Sequence, residues 1–408
     1  MKIVDVCAFY SPRGGGVRTY VEQKLAIGPQ LGHEIVILAP GRNHAVIERG
    51  ERARIVTIPS PRLPVDHKYH YFDDEAALHR ALDNEAPDFV EVSSPWRSPS
   101  LVARWQGAAP RSLVMHADPL AAYLYRWFGP VLSRPTLDRM GERFWDHLRK
   151  LSRAFDLTVC ANDDLARRMI AGGLVNVATH PMGVDDTIFA PGRRDPALRA
   201  ELLRQCSLPP SAGLLIAVGR LAPEKRLPML IEAATAASRR QPLGLVILGE
   251  GRDKRAVRRA IAGNPHIRLF APETRRERYA AILASADALL HGCEAETFCM
   301  AAAEARACGV PVIVPDRGGA SDHARGGAGR CYASGNPQAA ADAIVALLRE
   351  TTLPQPSRPR SNFDHFAELF DAYAALAGDR RLFGTDQGLP AHLDLPGLQS
   401  GGLGLAAY

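Results

Sequence analysis

Arg220 and Lys225 have side-chain types and a spacing that suit the binding of a phosphorylated ligand. Both follow a short apolar run, within residues 219–226, and so they are predicted at the carboxyl end of a strand, where open parallel sheets bind ligands. A guanidinium holds phosphate oxygens through a planar fork, and an ammonium adds a compact charge. Together they can clamp a diphosphate and offset the charge on a leaving group. A solvated basic loop is the alternative.

Glu296 and Glu304 flank the predicted start of a helix. Glu296 precedes the helix in the segment 296–299, and Glu304 lies within it. One carboxylate can reach hydroxyls on a transferred sugar and the other can pair with ribose hydroxyls, while the helix amino terminus between them faces phosphate. The apolar neighbours Phe298 and Met300 argue against the alternative of a freely solvated surface helix.

Two further features follow predicted strands in the first half of the chain. The loop 11–17 contains Gly15 and Gly16, whose backbone amides a phosphate or sugar could approach without meeting a Cβ. The loop lacks the full Gly-x-Gly-x-x-Gly spacing, and a tight turn is the alternative. His116 ends another apolar run, where a lone histidine is more often structural.

The elements that must position these residues alternate along the whole chain. Short β-branched runs separated by helical stretches predict parallel sheets with crossover helices. Strands are predicted at 2–8, 34–39, 54–58, 89–92, 112–116, 157–159 and 176–179, and then at 214–218, 244–248, 267–270, 288–291 and 312–314. The segment 180–191, with three Pro or Gly residues, predicts a linker. We therefore expect an α/β fold of two doubly wound units facing a cleft, with an amphipathic helix at 362–377 crossing back.

Composition limits the class of protein. The chain has 408 residues, 46% apolar and 23% charged, which suits two globular domains. Its net charge of +6 is interleaved with acids, so no nucleic-acid partner is expected. The seven cysteines are scattered without a Cys-x-x-Cys pair, which predicts reduced thiols and no metal site. No apolar run approaches the roughly 18 residues of a membrane span, and we expect the protein in the cytoplasm.

Several motifs in one order resemble a known family. Arg220 with Lys225, the segments 245–251 and 286–288, and Glu296 with Glu304 resemble the retaining glycosyltransferases of the GT-B fold, the family 4 or group 1 enzymes that include glycogen synthase-like, sucrose synthase-like and bacterial mannosyltransferase members. Residues 31–34 and 182–185 fit the same order. The resemblance implies two Rossmann-like domains, an acceptor-side domain at 1–186 and a nucleotide-sugar domain at 187–358, then a helix crossing back at 359–380 and a tail at 381–408 without assigned structure.

The resemblance also implies roles for single residues. Arg220 and Lys225 would bind the donor diphosphate, Glu304 the ribose and Glu296 the donor sugar, and His116 would stabilise the transition state beside that sugar. The implied catalytic residues are His116, Arg220, Lys225 and Glu296, and the donor-binding residues are Gly15, Gly16, Arg220, Lys225, Glu296, Thr297, Phe298, Cys299 and Glu304. Cys299 stands where the family often has glycine, which affects backbone contacts to donor hydroxyls.

The predicted activity is transfer of a hexosyl group, with retention and without metal or cofactor, from a nucleotide diphosphate sugar to a hydroxyl of an unidentified glycan, lipid or small molecule. A UDP-sugar is slightly favoured over GDP-mannose. The alternatives are a nucleotide-sugar epimerase of the same fold, a nicotinamide dehydrogenase built on the first glycine loop, and a non-catalytic nucleotide-sugar-binding subunit. Basic and aromatic residues alternate between Tyr123 and Arg153. They predict either an interfacial surface for a lipid-linked acceptor at the inner face of the membrane or a basic-faced helix with a buried aromatic side.

Overall fold

The computed structural model describes residues 1–10, 16–63, 69–93, 95–116, 118, 120, 134–350 and 360–383. Within them, one eight-stranded sheet has the order β3-β4-β2-β1-β5-β6-β7-β8 and is parallel except at β3. Its strands are β1 (Lys2–Cys7), β2 (Glu34–Gly41), β3 (Ala45–Gly50), β4 (Ala53–Pro59), β5 (Phe89–Ser93), β6 (Arg111–Val114), β7 (Leu157–Cys160) and β8 (Val177–Thr179). Helices cover both faces, so the central strands are continuously buried rather than alternating.

A second parallel sheet is formed later in the chain. Within the described residues it has six strands in the order β11-β10-β9-β12-β13-β14. They are β9 (Gly213–Val218), β10 (Leu243–Leu248), β11 (Ile267–Phe270), β12 (Ala288–Leu290), β13 (Val312–Pro315) and β14 (Gly329–Tyr332). The predicted α/β class is confirmed, and the carboxyl ends of β9 and β12 carry the charged residues singled out above.

Helices connect the strands of both sheets. Those of the first part are α1 (Gly16–Ile27), α2 (Glu75–Glu85), α3 (Arg97–Val102), α4 (Arg134–Met140), α5 (Glu142–Ala154) and α6 (Asp163–Ala171). Those of the second part are α7 (Pro196–Gln205), α8 (Leu227–Ser238), α9 (Lys254–Ile261), α10 (Arg276–Ala284), α11 (Met300–Ala307), α12 (Gly319–Asp322) and α13 (Pro337–Arg349). A last helix, α14, spans Asn362–Phe383.

Helix α14 returns to the first sheet, as its amphipathic sequence predicts. Phe366, Phe370 and Tyr373 are buried in one cluster with residues of α1 and β1, and the Tyr373 ring stacks on Phe89 with centroids 3.9 Å apart. The helix begins at a reciprocal cap, since the Ser361 hydroxyl accepts from the Asp364 amide at 3.0 Å. It ends beyond residue 380, the predicted end of this segment. The predicted domain limits at 186 and 358 stay a prediction, and residues 384–408 lie outside the described residues.

Two strands escaped the sequence analysis. β3 is an edge strand whose residues are mostly exposed, and its apolar run of three residues is followed at once by charged residues. β14 has only four residues and no β-branched side chain, so its one strand-favouring residue, Tyr332, is too weak a signal to predict a strand. All the other predicted strands are present within two residues of their predicted ends.

Candidate active site

The turn after β9 fixes Lys225 against an acidic loop. Gly219 has a φ of +141°, which glycine adopts without strain, and a single 3-10 turn at Pro223–Lys225 follows. Lys225 Nζ donates to the Glu296 carboxylate, and Arg226 Nε donates to Glu294 Oε2 at 2.8 Å. The basic turn is therefore held by two ion pairs on the loop that follows β12.

The Lys225–Glu296 pair is largely withdrawn from solvent. Only 23% and 20% of the two side chains are exposed. Burial alone would raise the pKa of Glu296, but the Lys225 ammonium and the His291 ring, with Nε2 3.3 Å from Glu296 Oε1, hold that pKa well below its usual range. Burial would lower the pKa of Lys225, and the Glu296 carboxylate raises it instead. Both groups are charged at neutral pH, so a phosphate and a sugar hydroxyl would each meet a formed charge.

Arg220 stands at a cavity of about 430 Å³ at the carboxyl ends of β9 and β10. Its side chain is 75% exposed, and Nη2 lies 2.9 Å from Glu224 Oε1. Gly249 forms part of the floor, where an added Cβ would lie 2.2 Å from the Gly219 carbonyl oxygen. The cavity is lined by Val218, Gly219, Arg220, Leu248, Gly249, Glu250, Pro272, Glu273 and Tyr279. Its volume is within the range of small-molecule sites.

Glu304 lies on α11, with 9% of its surface exposed. The Tyr279 hydroxyl donates to Glu304 Oε2 at 3.0 Å. Burial raises the pKa of Glu304 to about 7, although the bond from Tyr279 and the charge of Arg276 oppose the rise. Near neutral pH this carboxyl can accept hydrogen bonds from a diol when ionised and donate one when protonated.

The loop carrying Glu296 depends on two glycines that the sequence analysis did not single out. The Gly319 amide donates to the Glu296 carbonyl oxygen at 2.7 Å. A Cβ at Gly318 would lie 2.4 Å from the Glu294 carbonyl oxygen, and one at Gly319 would lie 2.6 Å from the Thr297 carbonyl oxygen. The sequence signal was the glycine pair separated by two residues from the end of β13, since glycine often marks a close approach of backbones.

Cys299 caps the amino terminus of α11 in the left-handed region, with φ +72° and ψ +72°. A residue with a Cβ is strained there by about 1–2 kcal/mol, which gives a physical reason for glycine to be frequent at this position in the resembling family. Its side chain is buried, and burial raises the pKa of the thiol well above its ordinary value. A neutral thiol is a poor nucleophile.

His116 comes from the first sheet and meets the same loop. The Thr297 hydroxyl donates to the His116 carbonyl oxygen at 3.1 Å, and the ring packs edge-on against Tyr20 with centroids 4.8 Å apart. Among the described residues, His116 Nε2 is inaccessible and has no hydrogen-bond partner. Burial, with the charge of Lys24, lowers the pKa of His116 to about 4. The imidazole is therefore neutral at pH 7 and has an unused hydrogen-bonding atom.

The remaining predicted residues fall at the edges of this arrangement. Gly16 begins α1, and a Cβ there would meet nothing within 4 Å; Gly15 lies outside the described residues. Phe298 is buried. The side-chain amide of Asn162, which caps α6, donates to the Thr297 carbonyl oxygen. It is a contact from the first sheet to this loop that sequence analysis missed.

One group of side chains among the described residues has metal-ligand geometry. Ligand atoms of His291, Glu296 and Cys299 lie within 4.8 Å of one another. The Lys225 ammonium already occupies the Glu296 carboxylate, and the thiol is neutral. A cation at this position would have to displace Lys225 and deprotonate Cys299, so this donor set does not fit a metal well.

Two protein-family models match the chain in overlapping segments. A family model described as Glycosyl transferases group 1 matches residues 199–363, and one described as Glycosyltransferase Family 4 matches residues 14–216. A GDP-mannose-dependent alpha-(1-6)-phosphatidylinositol dimannoside mannosyltransferase of Mycobacterium tuberculosis is 32% identical over 363 residues, which cover 88% of this chain and 90% of the relative. The chain belongs to the glycosyltransferases of family 4 and group 1. The expected family is thus confirmed.

Further comparisons agree with this assignment. A GDP-mannose-dependent alpha-mannosyltransferase of Mycolicibacterium smegmatis is 29% identical over 327 residues, covering 79% of this chain and 81% of the relative. Among solved structures, sucrose-phosphate synthase of Thermosynechococcus elongatus matches with a TM-score of 0.66 at 20% identity, over 94% of this chain and 99% of the other. Anabaena HepE in complex with UDP matches with a TM-score of 0.63 at 15% identity, over 94% and 99%. These likenesses show that this glycosyltransferase has the GT-B fold.

Proposed function

We propose that this glycosyltransferase transfers a mannosyl group from GDP-mannose to an acceptor hydroxyl, with retention of anomeric configuration and without a metal ion. Relatives named as GDP-mannose-dependent cover most of this chain at 29–32% identity, and this supports GDP-mannose over the UDP-sugar that sequence analysis slightly favoured. The UDP in the HepE complex belongs to a protein of 15% identity and bears on the fold alone.

The observation that carries the proposal is the partly buried Lys225–Glu296 pair beside the amino terminus of α11. A diphosphate next to Lys225 would place the adjoining sugar against Glu296, and the helix amino terminus adds partial positive charge. Arg220, at the mouth of the cavity, is 75% exposed and would exchange its ion pair with Glu224 for contacts with the phosphates. This arrangement offsets charge on the departing nucleotide diphosphate, the task that a metal ion performs elsewhere.

The proposed reaction exchanges one bond for another on a single face of the sugar. The acceptor oxygen forms a bond to the anomeric carbon on the side from which the β-phosphate oxygen leaves, and the acceptor proton passes to that phosphate oxygen. His116, neutral and with a free ring nitrogen, hydrogen-bonds the donor sugar or the incoming hydroxyl. Glu304, on α11, hydrogen-bonds the ribose diol.

The acceptor is proposed from the relatives. The Mycobacterium tuberculosis relative is named for a phosphatidylinositol dimannoside acceptor, and we propose a mannosylated or lipid-linked hydroxyl here, reached by a protein at the inner face of the membrane. Helix α5 exposes Arg143, Lys150 and Arg153, whereas Trp145 is buried. Membrane contact would therefore depend on the basic face, and Trp127 and Phe128 lie outside the described residues. No helix among the described residues combines the length and the apolarity needed to cross a bilayer.

The division of labour between domains is part of the same proposal. Residues 1–186 would bind the acceptor and residues 187–358 the nucleotide sugar. The cavity lined by Arg220 and Tyr279 lies wholly within the second segment, whereas His116 and Gly16 belong to the first. Transfer would take place where the loop of Glu296 meets His116.

The test begins with calorimetric titration of GDP and UDP into protein treated with EDTA. We expect GDP to bind in the micromolar range and more tightly than UDP, and Lys225→Ala to weaken it at least tenfold, while Lys150→Ala, an exposed lysine on α5, has no effect. Incubation with GDP-mannose, with and without mannosylated lipid, then separates transfer from epimerisation, which needs no acceptor. Binding of neither nucleotide, or activity that depends on added magnesium, would contradict the proposal.

A further inference from the structure

A second cavity, of about 300 Å³, lies where the two sheets and their connections meet. We call it the hinge cavity. Asp163, on α6, lines it from the side of the first sheet, and Phe298, Arg306 and Arg325 line it from the side of the second. Met182, in the segment 180–191, and Arg360, just before α14, complete this part of the wall. Only Phe298 is shared with the predicted donor-binding residues. The hinge cavity is thus separate from the cavity beside Arg220.

The arginines of the hinge cavity are not equally paired. Arg325 forms ion pairs with the carboxylates of Asp163, at 3.1 Å, and Asp322, at 2.9 Å. Arg306 is half-buried, and among the described residues it has no carboxylate within ion-pair distance; its Nη1 donates to the Ala328 carbonyl oxygen at 3.0 Å. Burial lowers the pKa of Arg306. A positive charge withdrawn from water without a counter-charge is unfavourable unless an anion joins it.

Arg360 supplies a second unused donor. Its Nη2 pairs with Glu368, but its Nε is buried and has no hydrogen-bond partner in the part of the chain that the structure describes. Arg306 and Arg360 line the same cavity, and guanidinium groups bind phosphates and carboxylates through charge-assisted hydrogen bonds. Met182, Val184 and Phe298 form an apolar wall beside them.

We propose that the hinge cavity binds a small organic anion, a phosphate or carboxylate carried on a short apolar group, through Arg306 and Arg360. The anionic end meets the guanidinium groups and the apolar end packs against Met182 and Phe298. The His323 ring contacts the Phe298 carbonyl oxygen at 2.7 Å, next to the loop of Glu296. An occupant touches both sheets' loops at once, so its binding is linked to their relative position.

The first experiment titrates phenyl phosphate into the full-length protein by calorimetry. We expect one site, weakened about tenfold or more by Arg306→Gln or Arg360→Gln, because each removes a charge-assisted hydrogen bond. The matched control is Arg239→Gln, an exposed arginine at the end of α8, which leaves binding unchanged. Lys225→Ala also leaves it unchanged, since Lys225 lies outside the hinge cavity.

A second variant removes the space rather than the charge. Met182→Trp fills the hinge cavity without touching an arginine, and we expect it to abolish phenyl phosphate binding while circular dichroism shows a folded protein. Vesicles containing phosphatidylinositol test the other source of the same phosphate chemistry: co-sedimentation that is lost in Arg306→Gln assigns a lipid headgroup to the site. Binding that survives Arg306→Gln and Met182→Trp but is lost in Lys225→Ala places the anion at the donor site. That result overturns this inference and leaves the proposed transfer reaction standing.

Discussion

Tyr279 and Glu304 form a hydrogen bond across 3.0 Å at the edge of the cavity beside Arg220. The phenol comes from α10 and the carboxyl from α11, so the bond joins two helices that flank the site. Because Glu304 is buried, its pKa is raised to about 7, and the bond from Tyr279 is the strongest influence that opposes the rise. The carboxyl that is predicted to bind ribose is therefore held by a residue that lines this cavity.

Replacing Tyr279 by Phe should weaken donor binding and change its pH dependence. Without the hydroxyl, the pKa of Glu304 rises further and the carboxyl loses its orientation. We expect GDP affinity to fall about three- to tenfold at pH 7, the equivalent of about 0.5–1.5 kcal/mol for one lost hydrogen bond that acts through Glu304, and the midpoint of its pH profile to move upward. Titrations from pH 6 to pH 9 measure both effects, with Tyr71→Phe as the control. An unchanged profile would contradict the assigned coupling.

Glu304→Gln should stabilise the folded protein at alkaline pH while it weakens donor binding. The folded-state pKa of about 7 lies above the unfolded value of 4.5, so the folded state holds its proton more tightly. Folding stability is therefore lost as pH rises from 4.5 through 7, and that loss persists above it. Glutamine cannot ionise, and we expect it to raise the unfolding free energy by about 2–3 kcal/mol at pH 8.5.

The same variant should change stability much less at pH 4.5, where Glu304 is protonated in the folded state and about half protonated in the unfolded state. Urea unfolding at the two pH values gives the comparison, and Glu277→Gln, an exposed glutamate on α10, serves as the control. Equal effects of Glu304→Gln at both pH values would mean that the carboxyl is not held protonated by burial.

Candidate site residues could be selected from the sequence where the proposed chemistry requires particular residue types. Lys225 and Glu296 were predicted separately, from charge next to a strand and charge next to a helix, and the structure pairs them. Their contact joins turns after two adjacent strands of one sheet, β9 and β12. Strand order of this kind is not visible in the local sequence.

Residues that act by shape or by burial were harder to find. Gly318 and Gly319 matter because other carbonyl groups approach them, which only the tertiary structure reveals. The wholly buried Lys24 pairs with Asp5 at 2.7 Å and with Glu91 at 2.5 Å. The three residues lie on separate elements, and each charge alone resembles a surface residue. Asp5 and Glu91 could have been found from the sequence, because each places a charge inside an apolar strand, β1 or β5.

Cys299 offers a test of backbone strain at the end of the loop that carries Glu296. With φ at +72°, a side chain at this position costs about 1–2 kcal/mol relative to glycine, while its buried methylene and sulfur contribute packing of similar size. We expect Cys299→Gly to be more stable than Cys299→Ala by about 1 kcal/mol, because alanine keeps the strain and loses the sulfur. At Cys308, which is also buried but has a φ of −74°, the order of the two variants should reverse. Urea unfolding measures all four proteins, and the same order at both positions would exclude strain at Cys299.

Gly318→Ala should displace the loop that carries Glu296 through a steric clash. The added Cβ would lie 2.4 Å from the Glu294 carbonyl oxygen, at a φ of +74°. Gly263 is a matched control, since its φ is +75° and a Cβ there meets nothing within 4 Å. Both alanine variants place a residue with a Cβ at positive φ, which costs about 1–3 kcal/mol, but Gly318→Ala alone must move the loop that carries Glu296. We expect only that variant to lose GDP affinity, by about tenfold or more, because displacement of Glu296 separates it from Lys225 and leaves the phosphate site misaligned.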